Sequence, residues 1–93
     1  MRDSNLVGRR ISELRNQHGW SQETFASLLQ RRGCFITRDM LANIENGRAS
    51  ASDTQLGFFA LVLGVPVSQL FPKNLPLALA HVHQTRHPRD EEE

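Results

Sequence analysis

The chain has 93 residues, enough for one small domain with a single hydrophobic core but not for two. Its longest apolar stretch, residues 56–67, is interrupted by glycines and a proline and falls short of the roughly 20 apolar residues that cross a membrane, so no membrane span is predicted. The single cysteine, Cys34, excludes an intrachain disulfide, and the polar N-terminus lacks the apolar segment of a secretion signal; both features favour a cytoplasmic location.

The formal net charge of +1 is unevenly distributed along the chain. The last four residues are acidic and carry −4, so the preceding 89 residues carry +5. Arginines occur in adjacent pairs at residues 9–10 and 31–32. An excess of positive charge is expected of a protein that binds nucleic acid, because phosphate neutralisation dominates its affinity. A charge of +5 is modest, however, and does not by itself identify such a protein.

The first predicted helix begins at Asp3 or Ser4 and ends before Gly19, which can adopt the left-handed conformation that follows a helix. Apolar residues spaced i, i+4 and i+7 predict its buried face, which consists of Val7, Ile11 and Leu14.

The second predicted helix begins at Ser21, a favourable N-cap, and ends at Gly33. Trp20 and Phe25 have the spacing of a hydrophobic staple across that cap. The buried face is predicted to contain Phe25, Ala26, Leu28 and Leu29.

The third predicted helix repeats this pattern after a short connector. Thr37 is its N-cap, and Ile36 and Leu41 have the spacing of a second staple. The helix is expected to end at Asn46 and Gly47. Cys34 in the connector is predicted to be a packed thiol rather than a nucleophile.

The fourth predicted helix begins at Ser52, which forms a capping-box pattern with Gln55, and ends at Gly64. Pro66 suits the first position of a short fifth helix. The side chains of this helix expected to face the core are those of Val67, Leu70 and Phe71. Since residues 1–72 contain no convincing strand pair, the predicted fold class is all-α, a compact bundle of about five short helices with a C-terminal tail.

Several segments of the sequence occur in a characteristic order: VGRRISELR and GWSQETFA in residues 7–26, LANIENGR in residues 41–48, and a mostly apolar stretch in residues 56–71. In this order they resemble the phage repressor and Cro-type helix-turn-helix family, also called the XRE family. The resemblance implies a lambda-repressor-like DNA-binding domain over residues 4–72. Residues 73–93 would then form a tail, either an arm used in dimerisation or a partly disordered end.

The resemblance also implies a recognition helix, at about Thr37–Asn46, that lies in the major groove of DNA. The side chains expected to contact bases are Thr37, Arg38, Asp39 and Asn43. Arginine suits guanine, asparagine suits adenine, and aspartate can accept from cytosine. Asp39 has a second interpretation, in which it orients Arg38 or stabilises the first helical turn.

Phosphate contacts are expected from two places in this family. Ser21 and Gln22 lie at a helix N-terminus, where free N–H groups and the helix dipole favour an anion. Asn46 and Arg48 lie in the loop after the recognition helix. The alternatives are that Ser21 is only a cap and that Gln22 and Arg48 are solvated.

The family pairs an arginine at the end of its first helix with a glutamate at the end of its third, and the matching residues here are Arg15 and Glu45. We therefore expect a structural salt bridge between them. One departure lies between Ala26 and Leu41, a segment about five residues longer than in the compact family pattern. A longer second helix and a wider loop are expected, with residues 31–32 either near a phosphate or in solvent.

The fourth helix is predicted to be apolar nearly all round, with an outer patch that marks a candidate dimer surface: Phe58, Leu61 and Val62. The tail, with apolar residues within 75–82, is an alternative cover for this patch. Histidines in the tail lack the partners of a structural zinc site, so neither a metal nor another cofactor is expected; they are His81, His83 and His87.

The sequence thus favours a sequence-specific, DNA-binding transcriptional regulator, a repressor acting as a homodimer on double-stranded DNA. The alternative is a protein-interaction module on the same fold, such as an antitoxin or a transcription cofactor with a protein partner. An enzyme is not expected, because no catalytic triad, metal motif or phosphate-binding loop is present.

Overall fold

The computed structural model describes residues 6–72. They form four α-helices, α1 (Gly8–Gln17), α2 (Gln22–Arg31), α3 (Arg38–Glu45) and α4 (Asp53–Leu63), followed by a 3₁₀ turn at Val67–Leu70. No strand occurs in this part of the chain. The predicted all-α bundle is confirmed, with four α-helices rather than five. The predicted tail, residues 73–93, with its histidines and its role as a dimer arm, lies outside the described residues.

The core lies where the four helices meet. α1 packs against α3, α4 and the 3₁₀ turn, and α2 packs against α3 and α4. The ring centroids of Phe25 in α2 and Phe59 in α4 are 5.8 Å apart. The largest fully buried side chains are Phe25, Phe59, Ile11, Leu29, Ile36, Leu41, Leu63 and Leu70. Short helices such as these derive most of their stability from this burial.

Three of the helices begin at the N-caps predicted from the sequence. In α2, α3 and α4 the capping hydroxyl accepts the N–H of the third helical residue; the caps are Ser21, Thr37 and Ser52. The capping box of α4 is complete, because Gln55 Oε1 also accepts the N–H of Ser52 at 2.9 Å. Trp20 stacks on Phe25 with ring centroids 5.9 Å apart, as the staple predicts. Local polar residues therefore set these helix starts.

Replacing Ser52 by alanine is expected to lower the free energy of unfolding by about 1 kcal/mol, since the N–H of Gln55 loses its acceptor. Urea denaturation of the purified domain measures the change. Ser27→Ala, at an exposed position inside α2, makes the same chemical change without removing a cap and is expected to leave the stability unchanged or slightly raised. Equal midpoints for the two variants would contradict the capping role.

Two predicted boundaries are wrong. α1 begins at Gly8, not at Asp3 or Ser4, and its N-cap, Val7, makes no side-chain capping bond. Val7 is the first described residue with a buried side chain, and packing on the core, rather than a polar cap, sets this start. The expected fifth helix is a single 3₁₀ turn, preceded by Pro66 in the N-cap position.

The inward direction predicted for Val67 is also wrong, because its side chain is 43% exposed. Leu70, at the other end of the same 3₁₀ turn, is fully buried, as predicted. Phe71 is half-buried and packs against the core.

The link between α2 and α3 occupies residues 32–37, which is wider than the three or four residues usual for this motif. Gly33 has a φ of +104° and ends α2 in a left-handed conformation that favours glycine. Cys34 and Ile36 turn inward and belong to the core. Burial raises the pKa of the Cys34 thiol, so it remains a protonated packing group. The wide link is therefore anchored rather than loose.

Candidate nucleic-acid interface

α3 has one buried side and one exposed side. Leu41 and Ile44 are buried against the core. The opposite side is exposed and mostly polar, and it consists of Arg38, Asp39, Met40 and Asn43. Three of the four residues predicted to contact bases therefore lie on one accessible surface about two helical turns long, and the fourth, Thr37, lies next to it as the N-cap.

Two of these residues have side-chain interactions within the helix end. Thr37 Oγ1 accepts the N–H of Met40 at 3.1 Å, which leaves its own hydroxyl proton free to donate. Arg38 Nη2 lies 3.1 Å from Asp39 Oδ1, and both side chains are largely exposed. The ion pair matches the alternative interpretation of Asp39 as the residue that orients Arg38. An exposed pair of this kind is weak and can be exchanged for other partners.

Behind this surface, Arg15 joins three parts of the chain. Its Nε and Nη2 donate to the two carboxylate oxygens of Glu45 at 2.8 and 3.0 Å, a bidentate geometry. Its Nη1 donates to the carbonyl oxygen of Trp20 at 2.7 Å. The side chains of Arg15 and Glu45 are only 11% and 3% exposed. Arg15 therefore fastens the end of α1 to the end of α3 and to the residue before the α2 cap.

Gln22 belongs to the same network, which the sequence did not predict. Its Nε2 donates to Glu45 Oε1 at 2.9 Å, and the side chain is half-buried. The second hydrogen of this amide is not used in that bond. Gln22 is thus positioned by Glu45 instead of moving freely in solvent at the start of α2. No short-range pattern signals the contact, because the two residues are 23 positions apart.

The loop after α3 turns sharply at Gly47, whose φ is +81°. The backbone carbonyl of Asn43 accepts the N–H groups of Arg48 at 2.8 Å and Ala49 at 3.1 Å, so the loop is fixed to the helix. Asn46 and Arg48 remain exposed. The described residues offer no side-chain partner to the guanidinium of Arg48.

The three residues expected to form a dimer surface, Phe58, Leu61 and Val62, differ in how far their side chains are exposed. Phe58 and Val62 are half-buried and pack against the core. The Phe58 ring covers Gly33, so that a Cβ added there would lie 3.9 Å from Cζ. Leu61 is 53% exposed. Of these three side chains, Leu61 is therefore the one that is mostly exposed.

Residues 6–72 contain neither a membrane-spanning helix nor a candidate metal site. No helix there is long and apolar enough to cross a membrane. Nor does that segment contain a group of three or more histidine, cysteine, aspartate or glutamate residues able to hold a metal ion.

Comparison with known proteins gives the class of this protein. A family model described as "Helix-turn-helix" matches residues 11–70. Comparisons with curated proteins and with solved structures found no match. The matched segment contains the capped α2, the link and α3, so fold and site define a DNA-binding helix-turn-helix regulator. The chain belongs to the phage repressor and Cro-type helix-turn-helix family, the XRE family.

Proposed function

We propose that this protein is a sequence-specific transcriptional repressor that inserts α3 into the major groove of double-stranded DNA. The observation that carries the proposal is the two-sided character of α3, with Arg38 and Asn43 exposed and Leu41 and Ile44 fully or almost fully buried. Arginine and asparagine are the side chains that make bidentate contacts to guanine and adenine. We assign base contacts to Thr37, Arg38, Asp39 and Asn43, and no enzymatic activity.

The phosphate contacts flank this helix in the proposal. Ser21 and Gln22 present the N-terminus of α2, and Asn46 and Arg48 present the loop after α3. Glu45 holds one hydrogen of the Gln22 amide, and the other donates to a phosphate oxygen. Two phosphate clamps on either side of α3 would fix its register, since phosphate contacts position a protein while base contacts specify its sequence.

Repression is the simpler regulatory outcome for such a domain. A helix in the groove blocks access of a polymerase by occupancy alone, whereas activation also needs a surface that holds the polymerase. The resemblance to phage repressors supports the same choice.

Homodimerisation through the outer side of α4 is part of the proposal. Leu61 forms the exposed part of this surface, and Phe58 and Val62 form its half-buried margin. A two-fold protein places two recognition helices about one DNA turn apart, which matches paired half-sites on one face of the duplex.

Leu61→Asp is expected to convert the dimer to a monomer, because the new carboxylate would be desolvated in an apolar contact without a partner. Light scattering after size exclusion measures the mass. Thr54→Asp introduces the same charge at an exposed position of α4 and should leave the dimer intact. If the unsubstituted chain already has the mass of one chain at tens of micromolar, the dimer assignment is wrong.

The experiment that tests the function is selection of bound sites from random duplexes. A two-fold site with half-sites about 10 base pairs apart is the expected result. Selected sites without two-fold symmetry would support DNA recognition but contradict the proposed dimer. No enrichment at low salt would favour the alternative function, a protein-interaction module such as an antitoxin or a transcription cofactor. The exposed apolar side chains of Phe35 and Leu61 are the observation that favours this alternative.

A further inference from the structure

Phe35 is the most exposed large apolar side chain in the described part of the chain, at 85%. Its two neighbours, Cys34 and Ile36, are both buried in the core. The N–H of Ile36 donates to the carbonyl oxygen of Cys34 at 3.0 Å, so the three residues form a tight turn with Phe35 at its apex. The backbone thus directs the phenyl ring outward, two residues before the N-cap of α3.

The turn is fastened to α2 on both sides of Phe35. The N–H of Cys34 donates to the carbonyl oxygen of Leu29 at 3.0 Å. The Gln30 amide donates to the carbonyl oxygen of Ile36 at 2.7 Å. The backbone on both sides of Phe35 is already fixed in the folded protein. Binding through this ring therefore costs little further backbone entropy.

The charged residues near Phe35 in the sequence indicate which class of partner binds over its ring. In the sequence, Arg31 and Arg32 precede Phe35 and Arg38 follows it, and all three arginines are exposed. Residues 30–38 contain no acidic side chain, and the first acidic residue after them, Asp39, pairs with Arg38. No described residue pairs with the guanidinium of Arg31 or Arg32. DNA complements this combination, because phosphates bind guanidinium groups while deoxyribose and the thymine methyl offer apolar surface. A nonpolar protein surface would complement only the ring.

We propose that the α2–α3 link is a second DNA-contacting element. Phe35 packs against deoxyribose and a base edge at the margin of the major groove, and Arg31 and Arg32 bind the adjacent phosphates. This inference rests on the proposed function, since it requires α3 to enter the groove. It extends the contacted DNA beyond the base pairs that α3 reaches and adds a preference for thymine next to them.

The test uses the full chain and a duplex obtained from the site selection. Phe35→Ala is expected to weaken binding about tenfold, as partial burial of a phenyl ring would. The dependence of affinity on salt should not change, because no charge is removed. Arg31→Ala/Arg32→Ala should reduce the slope of log affinity against log salt by about 2, one for each phosphate contact. Val67→Ala, which truncates another exposed apolar side chain, should bind like the unsubstituted chain.

A hydroxyl-radical footprint supplies a second measurement. Phe35→Ala should lose protection of sugars at one margin of the site while its thermal midpoint stays the same, since the side chain packs on little of the fold. Unchanged affinity and footprint would overturn the inference, as would a thermal midpoint that falls together with the affinity. If the unsubstituted chain selects no site, the proposed function fails first, so the two failures are distinguishable.

Discussion

Replacing Arg15 by methionine is expected to lower the free energy of unfolding by about 3–5 kcal/mol. The Glu45 carboxylate, only 3% exposed, would keep the Gln22 amide but lose both guanidinium bonds. The carbonyl of Trp20 would lose its donor as well. Since small domains have a total stability of about 5–15 kcal/mol, this variant should be partly unfolded at moderate temperature. Urea and thermal denaturation measure the effect.

A charge-matched comparison separates the buried pair from ordinary surface pairs. Glu45→Gln removes the carboxylate of the buried pair, and Glu13→Gln removes that of the exposed Arg10–Glu13 pair, which spans 3.3 Å. The first should be strongly destabilising, and the second should change stability by less than about 1 kcal/mol. The double variant Arg15→Met/Glu45→Met should recover part of the loss, because no buried charge remains unpaired. An Arg15→Met chain as stable as Glu13→Gln would refute the structural role.

Helix dipoles favour the position of one of these two charges and oppose that of the other. Arg15 lies in the last turn of α1, where a cation is favourable, whereas Glu45 lies in the last turn of α3, where an anion is not. The guanidinium therefore offsets both the dipole and the desolvation of Glu45. The resulting contact fixes α3 relative to α1, and with Gln22 it also fixes the start of α2. In the proposed complex, the angle at which α3 meets DNA would depend on this network.

Replacing Arg38 by alanine is expected to weaken binding to the selected site by about 1–3 kcal/mol and to relax base preference at one position. The physical reason is loss of the proposed bidentate contact between the guanidinium and a guanine. Arg38 is exposed and its ion pair with Asp39 is weak, so stability should not change. Binding to the selected duplex and to duplexes with single substitutions measures the preference.

Arg38→Lys is the matched control, since it keeps the charge but removes the guanidinium fork. It should lose discrimination at the same base pair as Arg38→Ala while its salt dependence stays like that of the unsubstituted chain. A uniform loss on all duplexes, restored by lysine, would instead assign Arg38 to a phosphate. In that case Asn43 would carry most of the base recognition.

The elements set by neighbouring residues could be predicted from the sequence alone. A capping hydroxyl binds an N–H group three residues away, and a glycine ends a helix because of its own φ, so both signals are complete within a few residues. That is why the starts of α2, α3 and α4 and the ends at Gly19, Gly33, Gly47 and Gly64 agree with prediction. The pairing of Arg15 with Glu45 was predicted from the family resemblance. Their spacing in the sequence does not indicate it.

Contacts between distant segments were decided only in the tertiary structure. The bond from Gln22 to Glu45 and the contact between Phe58 and Gly33 depend on how separate segments meet. Phe35 points outward because both of its neighbours are buried in the shared core. The start of α1 follows the same rule, since packing rather than a polar cap defines it. Local hydrogen bonds fix where these helices begin and end, but burial is shared among segments far apart in sequence. The exposed surface around α3 is therefore a property of the assembled fold.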